Sequence, residues 1–65
     1  MPYVNIKITR DGVTKAQKSA LISGVTQLLR EVLDKDPALT HVVIDEVEPS
    51  DWGVGGRTVE DIRQP

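Results

Sequence analysis

The chain has 65 residues, no cysteine, one histidine and a formal net charge of −2 at pH 7. It therefore has no disulfide framework and no histidine pair for a metal, and its mixed charges lack the basic stripe that binds nucleic acid. A chain of this length buries only about 60% of the surface that its unfolded form exposes, so we expect one domain, residues 1–65, stabilised by association with further copies.

Apolar side chains occupy every second position between Tyr3 and Thr9. This period of two predicts a β-strand with one apolar face. A short segment with turn residues follows, and then Thr14 and Gln17 match a capping box, in which each side chain accepts a hydrogen bond from the other residue's backbone amide. We therefore expect a helix to begin at about Lys15.

The predicted helix carries its apolar residues at the spacing of one helix face. The members that we expect to pack on the sheet are Leu21, Val25, Leu28 and Val32, and Leu29, Ile22 and Leu33 widen this apolar stripe. The helix should end near Asp34 or Lys35, because Pro37 cannot continue it and biases the preceding residue toward an extended conformation.

A second strand is predicted from Thr40 to Val47, a segment rich in β-branched residues. One long helix between two strands is typical of a β-α-β unit with parallel strands, so we expect an α+β fold. A two-stranded sheet with one helix leaves both edges open and one face bare. We therefore expect a dimer that continues the sheet across a two-fold axis and then packs into a higher oligomer.

The last part of the chain contains the block Trp52-Gly53-Val54-Gly55-Gly56. Its glycines predict a tight C-terminal hairpin with positive φ at Gly53, Gly55 and Gly56. Two arginines follow, Arg57 and Arg63, which we interpret as surface or interface charges. Arg57 comes directly after the glycines and is the better candidate of the two for contact with a substrate.

Pro2 is the candidate catalytic residue, because the chain lacks the usual nucleophiles, metal ligands and phosphate-binding loops. Removal of Met1 would leave the Pro2 nitrogen as a secondary amine at the chain terminus. An ordinary α-amino group has a pKa of about 7.7 to 8.0, and an apolar pocket or a nearby cation would lower this pKa toward the range in which a general base works best. Taken alone, Pro2 could also simply begin an edge strand.

Four segments of the chain resemble the 4-oxalocrotonate tautomerase family, in the order and at the spacing of that family. They are Pro2-Tyr3-Val4-Asn5-Ile6-Lys7-Ile8, Thr14 to Lys18, Val42-Val43-Ile44-Asp45-Glu46-Val47 and Trp52-Gly53-Val54-Gly55-Gly56. The last two segments are most similar to the DmpI-type branch. The resemblance covers nearly the whole chain and implies a β-α-β subunit of the tautomerase and MIF type.

The resemblance also implies an activity. The terminal proline nitrogen of this family takes a proton from one carbon of an enolisable 2-oxo acid and returns it to another, without a cofactor or a metal. Positive groups hold the substrate carboxylate and stabilise the enolate oxygen. The small-molecule partner is then a 2-oxo acid or its enol, and the assembly is a homo-oligomer, a hexamer in preference to a dimer.

Two family arginines are not matched in this sequence, since ungapped alignment puts Val13 and His41 at their positions. Arg10 lies in the same loop as the first and could hold the carboxylate from a shifted position, or be a solvated loop charge. His41 could donate a hydrogen bond in place of the second, or be a surface or interface residue. Trp52 matches the family's aromatic residue that forms an apolar wall near the proline, and it could equally anchor an oligomer contact.

Two other functions remain open from the sequence. One is a non-catalytic oligomeric binding module on the same fold, and the other is hydration or dehalogenation of a small unsaturated acid. The second would need a carboxylate that activates water, for which Asp45 and Glu46 are the available residues. Because neighbours on a strand point to opposite faces, at most one of these two can serve a site.

The amino-terminal segment lacks the charged and apolar regions of a signal peptide, and no apolar run approaches the roughly 20 residues of a membrane span. We therefore expect a cytoplasmic protein without a membrane partner.

Overall fold

Two parallel strands and one long helix form the main unit of the chain, as the sequence predicted. The computed structural model describes residues 1–64. Its elements are β1 (Tyr3–Thr9), α1 (Lys15–Leu33), β2 (His41–Val47), β3 (Gly53–Val54), β4 (Arg57–Thr58) and α2 (Val59–Arg63), with short 3₁₀ turns at Pro37–Leu39 and Pro49–Asp51. The predicted α+β unit with a C-terminal hairpin is confirmed.

The capping box at the start of α1 is confirmed. The Gln17 backbone amide donates to the Thr14 hydroxyl at 3.1 Å, and the Thr14 amide donates to the Gln17 side-chain oxygen at 2.9 Å. The end of α1 comes slightly earlier than predicted, at Leu33. Asp34 adopts a left-handed conformation with φ 52° and caps the helix with its amide, so the helical path stops before Pro37 exerts any effect.

Strands β1 and β2 pair in parallel, with Tyr3 opposite His41 at one end and Thr9 opposite Val47 at the other. The predicted second strand therefore begins one residue later than expected. Thr40 instead closes the preceding 3₁₀ turn, because its amide donates to the Pro37 carbonyl at 3.3 Å. We call the end of the sheet where the strands begin the amino edge and the end where they stop the carboxyl edge.

Helix α1 covers one face of this two-stranded sheet. The covered face carries the apolar residues of β1 together with Glu46, which forms an ion pair with Lys18 of the helix. The opposite face carries Tyr3, which is 64% exposed, and Val43, which is 42% exposed. No helix within residues 1–64 is long and apolar enough to cross a membrane.

The predicted helix packing is correct only in part. Val25 and Leu29 are half-buried, but Leu28 is 55% exposed and Val32 is 69% exposed. The reason is geometric: two strands about 4.8 Å apart present a surface narrower than the apolar stripe of the helix. Part of that stripe therefore stays exposed, including Leu21, which borders an open groove beside Ile8 of β1.

The C-terminal hairpin turns through Gly55 and Gly56, whose φ values are 61° and 83°. Two successive positive φ values are what a two-residue type I′ hairpin requires. The prediction for Gly53 was wrong, because this residue lies in β3 and has no positive φ. A Cβ at Gly53 would meet the Arg57 carbonyl oxygen at 3.8 Å, an ordinary contact, so this glycine serves neither the turn nor a close approach.

The described part of the chain has no buried core, because every side chain within residues 1–64 remains at least partly exposed. The radius of gyration is 15.0 Å, against about 11 Å for a compact chain of this length. The solvent-accessible surface is 4862 Å², against about 4100 Å² for a compact monomer of this mass. The fold thus leaves an unusual amount of apolar surface for contact with other copies.

Leu28 offers a direct test of this surface. Since its side chain is more than half exposed in the single chain, Leu28→Asp should leave the intrachain contacts of α1 almost unchanged but place a charge in any interface that covers the stripe. We expect the variant to lose its assembled state in sedimentation velocity and light scattering. Gln27→Asp, an exposed neighbour, is the matched control. An unchanged mass for Leu28→Asp would contradict the expectation.

Candidate active site

Pro2 and His41 lie next to each other at the amino edge of the sheet. The His41 amide donates to the Pro2 carbonyl at 3.0 Å, which extends the ladder one step beyond β1. Pro2 is half-buried, His41 is exposed, and Met1 is 84% exposed. With Met1 attached, the Pro2 nitrogen is in a peptide bond and has no basic lone pair.

Arg10 lies at the opposite, carboxyl edge. Its amide donates to the Val47 carbonyl at 2.8 Å, and its Nε lies 2.7 Å from a carboxylate oxygen of Glu48. A strand rises about 3.3 Å per residue, which puts Arg10 roughly 25 Å from Pro2 along β1. An arginine side chain cannot span that distance. Within one chain, Arg10 therefore cannot act at the Pro2 nitrogen.

Trp52 is also on the side of the carboxyl edge, because the chain reaches it from the end of β2 through the Pro49–Asp51 turn. Its carbonyl accepts a hydrogen bond from the Val59 amide at 2.7 Å, and its side chain is half-buried. The four predicted site residues thus form two groups in the chain. Pro2 and His41 are at one edge, and Arg10 and Trp52 are at the other.

Arg63 and Asp11 form a contact that the sequence analysis did not predict. The Arg63 guanidinium donates to both carboxylate oxygens of Asp11, at 2.6 and 3.2 Å, and it also reaches the Thr9 hydroxyl at 3.5 Å. The contact fastens the end of α2 to the loop that carries Arg10. The hydrogen bond from Arg63, followed by that from Thr9, lowers the pKa of Asp11 from 3.8 to about 2.

Asp45 and Glu46 point to opposite faces of the sheet, as expected for neighbours on a strand. Asp45 accepts hydrogen bonds from Asn5 at 2.8 Å and from Lys7 at 3.0 Å, and these two contacts lower its pKa. The ion pair with Lys18 lowers the pKa of Glu46. Both carboxylates are therefore held in their charged form by neighbours, which leaves neither of them suited to donate a proton.

Arg57 interacts only locally among the contacts described. Its guanidinium donates to the Asp61 carbonyl of α2 at 3.3 Å. That bond joins the hairpin to the helix after it, and the Asp61 amide in turn donates to the Thr58 hydroxyl at 3.1 Å as a helix cap. The contact accounts for Arg57 as a structural residue of the C-terminal segment.

Comparison with known proteins extends over nearly the whole chain. A family model described as "Tautomerase enzyme" matches residues 2–62. The chain is 61% identical over 64 residues to "Probable tautomerase K2" of Dickeya dadantii, covering 98% of this chain and 96% of the relative. It is similar to the crystal structure of DmpI from Helicobacter pylori, with a TM-score of 0.92, 42% identity and 98% of each chain covered. A heterohexamer 4-oxalocrotonate tautomerase from Chloroflexus aurantiacus gives a TM-score of 0.86 at 27% identity, covering 97% of this chain and 100% of that chain.

The contact between Asp11 and Arg63 predicts a defined acid response. Arg63→Ala should raise the pKa of Asp11 from about 2 toward 3.8, because the bond from Arg63 is the largest cause of the lowering. A carboxyl whose folded pKa is depressed stabilises the fold above its unfolded pKa and loses that contribution as pH falls through the folded value. In the parent chain, the Asp11 contribution to stability should therefore disappear as the pH falls from about 4 to about 2, and above this range it should be smaller in the variant than in the parent.

Carboxyl ¹³C shifts followed by NMR over this pH range would measure the Asp11 pKa directly. Arg30→Ala is the matched control, because Arg30 lies 3.9 Å from Asp34 and does not contact Asp11. An Asp11 pKa that stays near 2 in Arg63→Ala would show that the ion pair is not its cause.

Proposed function

This chain belongs to the tautomerase family, and we propose that it is a cofactor-free isomerase whose catalytic base is the terminal nitrogen of Pro2. The substrate class is an enolisable 2-oxo acid, in which a proton moves from one carbon to another. Membership of the family supports a tautomerase-type enzyme. The role of Pro2 and the class of substrate are the proposal.

Pro2 becomes a base when Met1 is removed, because the peptide nitrogen is then a secondary amine with a free lone pair. An unperturbed terminal amine has a pKa of about 7.7 to 8.0. Apolar surroundings and a nearby cation both disfavour its protonated form and lower its pKa. The bond from the His41 amide to the Pro2 carbonyl holds the residue at the start of the ladder, so the amine would have a fixed position.

The observation that carries the proposal is the separation of Pro2 from Arg10 by the length of β1. The side of β1 that faces away from β2 forms no strand pairing within residues 1–64. If two copies of β1 pair antiparallel over their full length about a two-fold axis, Ile6 lies at the axis. Pro2 of one copy then lies opposite Arg10 of the other. We propose that each site takes Pro2 from one chain and Arg10 and Trp52 from another.

Assembly of this kind agrees with the exposed apolar stripe on α1 and with the absence of a buried core in the described residues. A structural relative is itself a heterohexamer. We therefore propose a homo-oligomer for this chain, with a hexamer favoured over a dimer. The same contact between copies would supply both the missing core and the complete site.

The residues then divide the chemistry between them. The Arg10 guanidinium binds the substrate carboxylate through charge-assisted hydrogen bonds. The Pro2 amine removes a proton from carbon, giving an enolate and a protonated amine, and it then returns the proton to a different carbon. Trp52 provides an apolar wall that excludes water from the amine and so keeps the pKa of the amine low. His41, beside Pro2, is a second hydrogen-bond donor to the substrate.

The alternative activities have weaker support. Hydration or dehalogenation needs a carboxylate free to activate water, whereas Asp45 is bound to Asn5 and Lys7, and Glu46 is paired with Lys18 on the helix-covered face. A binding module without catalysis would share the fold but not the dependence of any reaction on Pro2. The same rate measurements therefore separate the two readings.

A free terminal nitrogen on Pro2 should be essential. We expect the processed protein to ketonise phenylenolpyruvate, and a form in which the peptide bond between Met1 and Pro2 is intact to be slower by about a hundredfold or more, the usual worth of a general base. The rate of Pro2→Ala, which still has a terminal amine, should lie between the rates of these two forms. Intact mass would verify each form. Equal rates for the processed and unprocessed forms would contradict the assignment.

Arg10 should contribute more to substrate binding than His41. Arg10 is permanently charged and offers a planar fork of donors. Arg10→Ala should lower kcat/KM by about tenfold for each 1.4 kcal/mol of lost interaction, and His41→Ala should have a smaller effect. Arg57→Ala is a control that removes an arginine bonded only within the C-terminal segment. The assignment fails if the His41 variant is the more impaired.

A further inference from the structure

Three cations at the carboxyl edge of the sheet are each paired with a carboxylate of the same chain. Arg10 pairs with Glu48, Lys18 with Glu46, and Arg63 with Asp11. Within these three pairs, each positive charge is therefore balanced by a negative charge. A substrate carboxylate that binds to one of these cations competes with the internal carboxylate already paired with it.

The three pairs differ in how easily they can be opened. The Arg63 guanidinium holds both carboxylate oxygens of Asp11. The pair of Lys18 and Glu46 lies under α1, with the Glu46 side chain only 14% exposed. Arg10 and Glu48 meet through Nε and one carboxylate oxygen, and their side chains are 56% and 54% exposed. The pair of Arg10 and Glu48 is the one that a ligand can open.

The backbone holds Glu48 beside Arg10. The Arg10 amide donates to the carbonyl of Val47, the residue before Glu48. The Glu48 carbonyl accepts a bond from the Asp51 amide at 2.8 Å, and Pro49 follows directly. Glu48 is therefore fixed at the next step of the parallel ladder, opposite Arg10, and its side chain can return to the guanidinium whenever a ligand leaves.

We propose that Glu48 is a specificity-determining residue that competes with substrate carboxylates for Arg10. This inference rests on the proposed role of Arg10 as the carboxylate-binding group. An internal competitor weakens apparent binding, because the apparent dissociation constant equals the intrinsic one divided by the fraction of time that the arginine is free. Since exposed ion pairs are weak, the reduction should be about two- to fivefold rather than a block.

The competitor also selects by charge. A displaced Glu48 stays near the bound anion and repels further negative charge, while Lys18 and Arg63 are already paired. A monocarboxylate with an apolar remainder meets this repulsion once. A dicarboxylate meets it twice and finds no free cation among these groups for its second carboxylate. The proposed site therefore favours monocarboxylate enols such as phenylenolpyruvate over dicarboxylates such as 2-hydroxymuconate.

The test compares the parent protein, Glu48→Gln, Glu60→Gln and the double variant Arg10→Ala with Glu48→Gln. Glu60→Gln is the control. It also removes one negative charge, but from a residue of α2 that forms no described ion pair with Arg10. Two readouts are needed: KM and kcat for phenylenolpyruvate and 2-hydroxymuconate, and NMR titration of the Arg10 Nε signal with phenylpyruvate, its uncharged methyl ester and muconate. The titration reports binding whether or not the protein is catalytically active.

Glu48→Gln should lower the dissociation constant of phenylpyruvate by about two- to fivefold, lower that of muconate by a larger factor, and leave that of the ester unchanged. KM should follow these changes while kcat stays nearly constant. Glu60→Gln should match the parent. In the double variant, which has no Arg10 signal, the gain is read from KM and should vanish. Unchanged or weaker acid binding in Glu48→Gln, or no response of Arg10 to either acid, overturns the inference. Tighter acid binding without any ketonisation in the parent would support Glu48 as a competitor and refute the proposed activity.

Discussion

The parallel ladder between β1 and β2 runs without a shift from Tyr3 opposite His41 to Thr9 opposite Val47. It determines the positions of Pro2, His41 and Arg10. Its first step joins Pro2 to the His41 amide, and the step after its last strand pair joins Arg10 to the Val47 carbonyl. Because Pro2 directly precedes β1 and Arg10 directly follows it, the proposed base and the proposed carboxylate-binding group lie at opposite edges, separated by the length of that strand. One chain can hold either end of the proposed site but cannot bring both ends together.

The same chain cannot bury a core. A single helix covers one face of two strands, and the remaining apolar residues of α1, such as Leu28 and Val32, stay exposed. Association with further copies would remove this apolar surface from water, where burial contributes about 25 cal/mol per Å². An antiparallel partner along β1 would at the same time bring Arg10 of one chain to Pro2 of the other. Stability and catalysis would then depend on one contact, and an interface mutation should impair both.

Local signals in the sequence predicted most of the fold. Thr14 and Gln17 form their capping box because both partners lie within one turn, and Gly55 and Gly56 adopt positive φ because the tight hairpin demands it. The sequence did not predict the bond between Arg63 and Asp11, which joins residues 52 positions apart, or the pairing of Arg10 with Glu48. The first contact depends on where the C-terminal segment returns to the sheet, and the second depends on the register between β1 and β2. The overestimate of helix packing has a similar cause, since periodicity shows which face is apolar but not how wide the opposing surface is.

Subunit mixing tests the shared site most directly. Pro2→Ala and Arg10→Ala chains, each impaired alone, would be unfolded together in equal amounts, refolded and assayed for ketonisation of phenylenolpyruvate. If each site takes Pro2 from one chain and Arg10 from another, random assembly restores both residues in about one quarter of the sites. The mixture should then be more active than the mean of the two variants, and the excess should approach one quarter of parent activity as the activities of the two variants approach zero. A mixture no more active than that mean, with mixed assembly verified by native mass spectrometry, would show that no site combines residues from two chains.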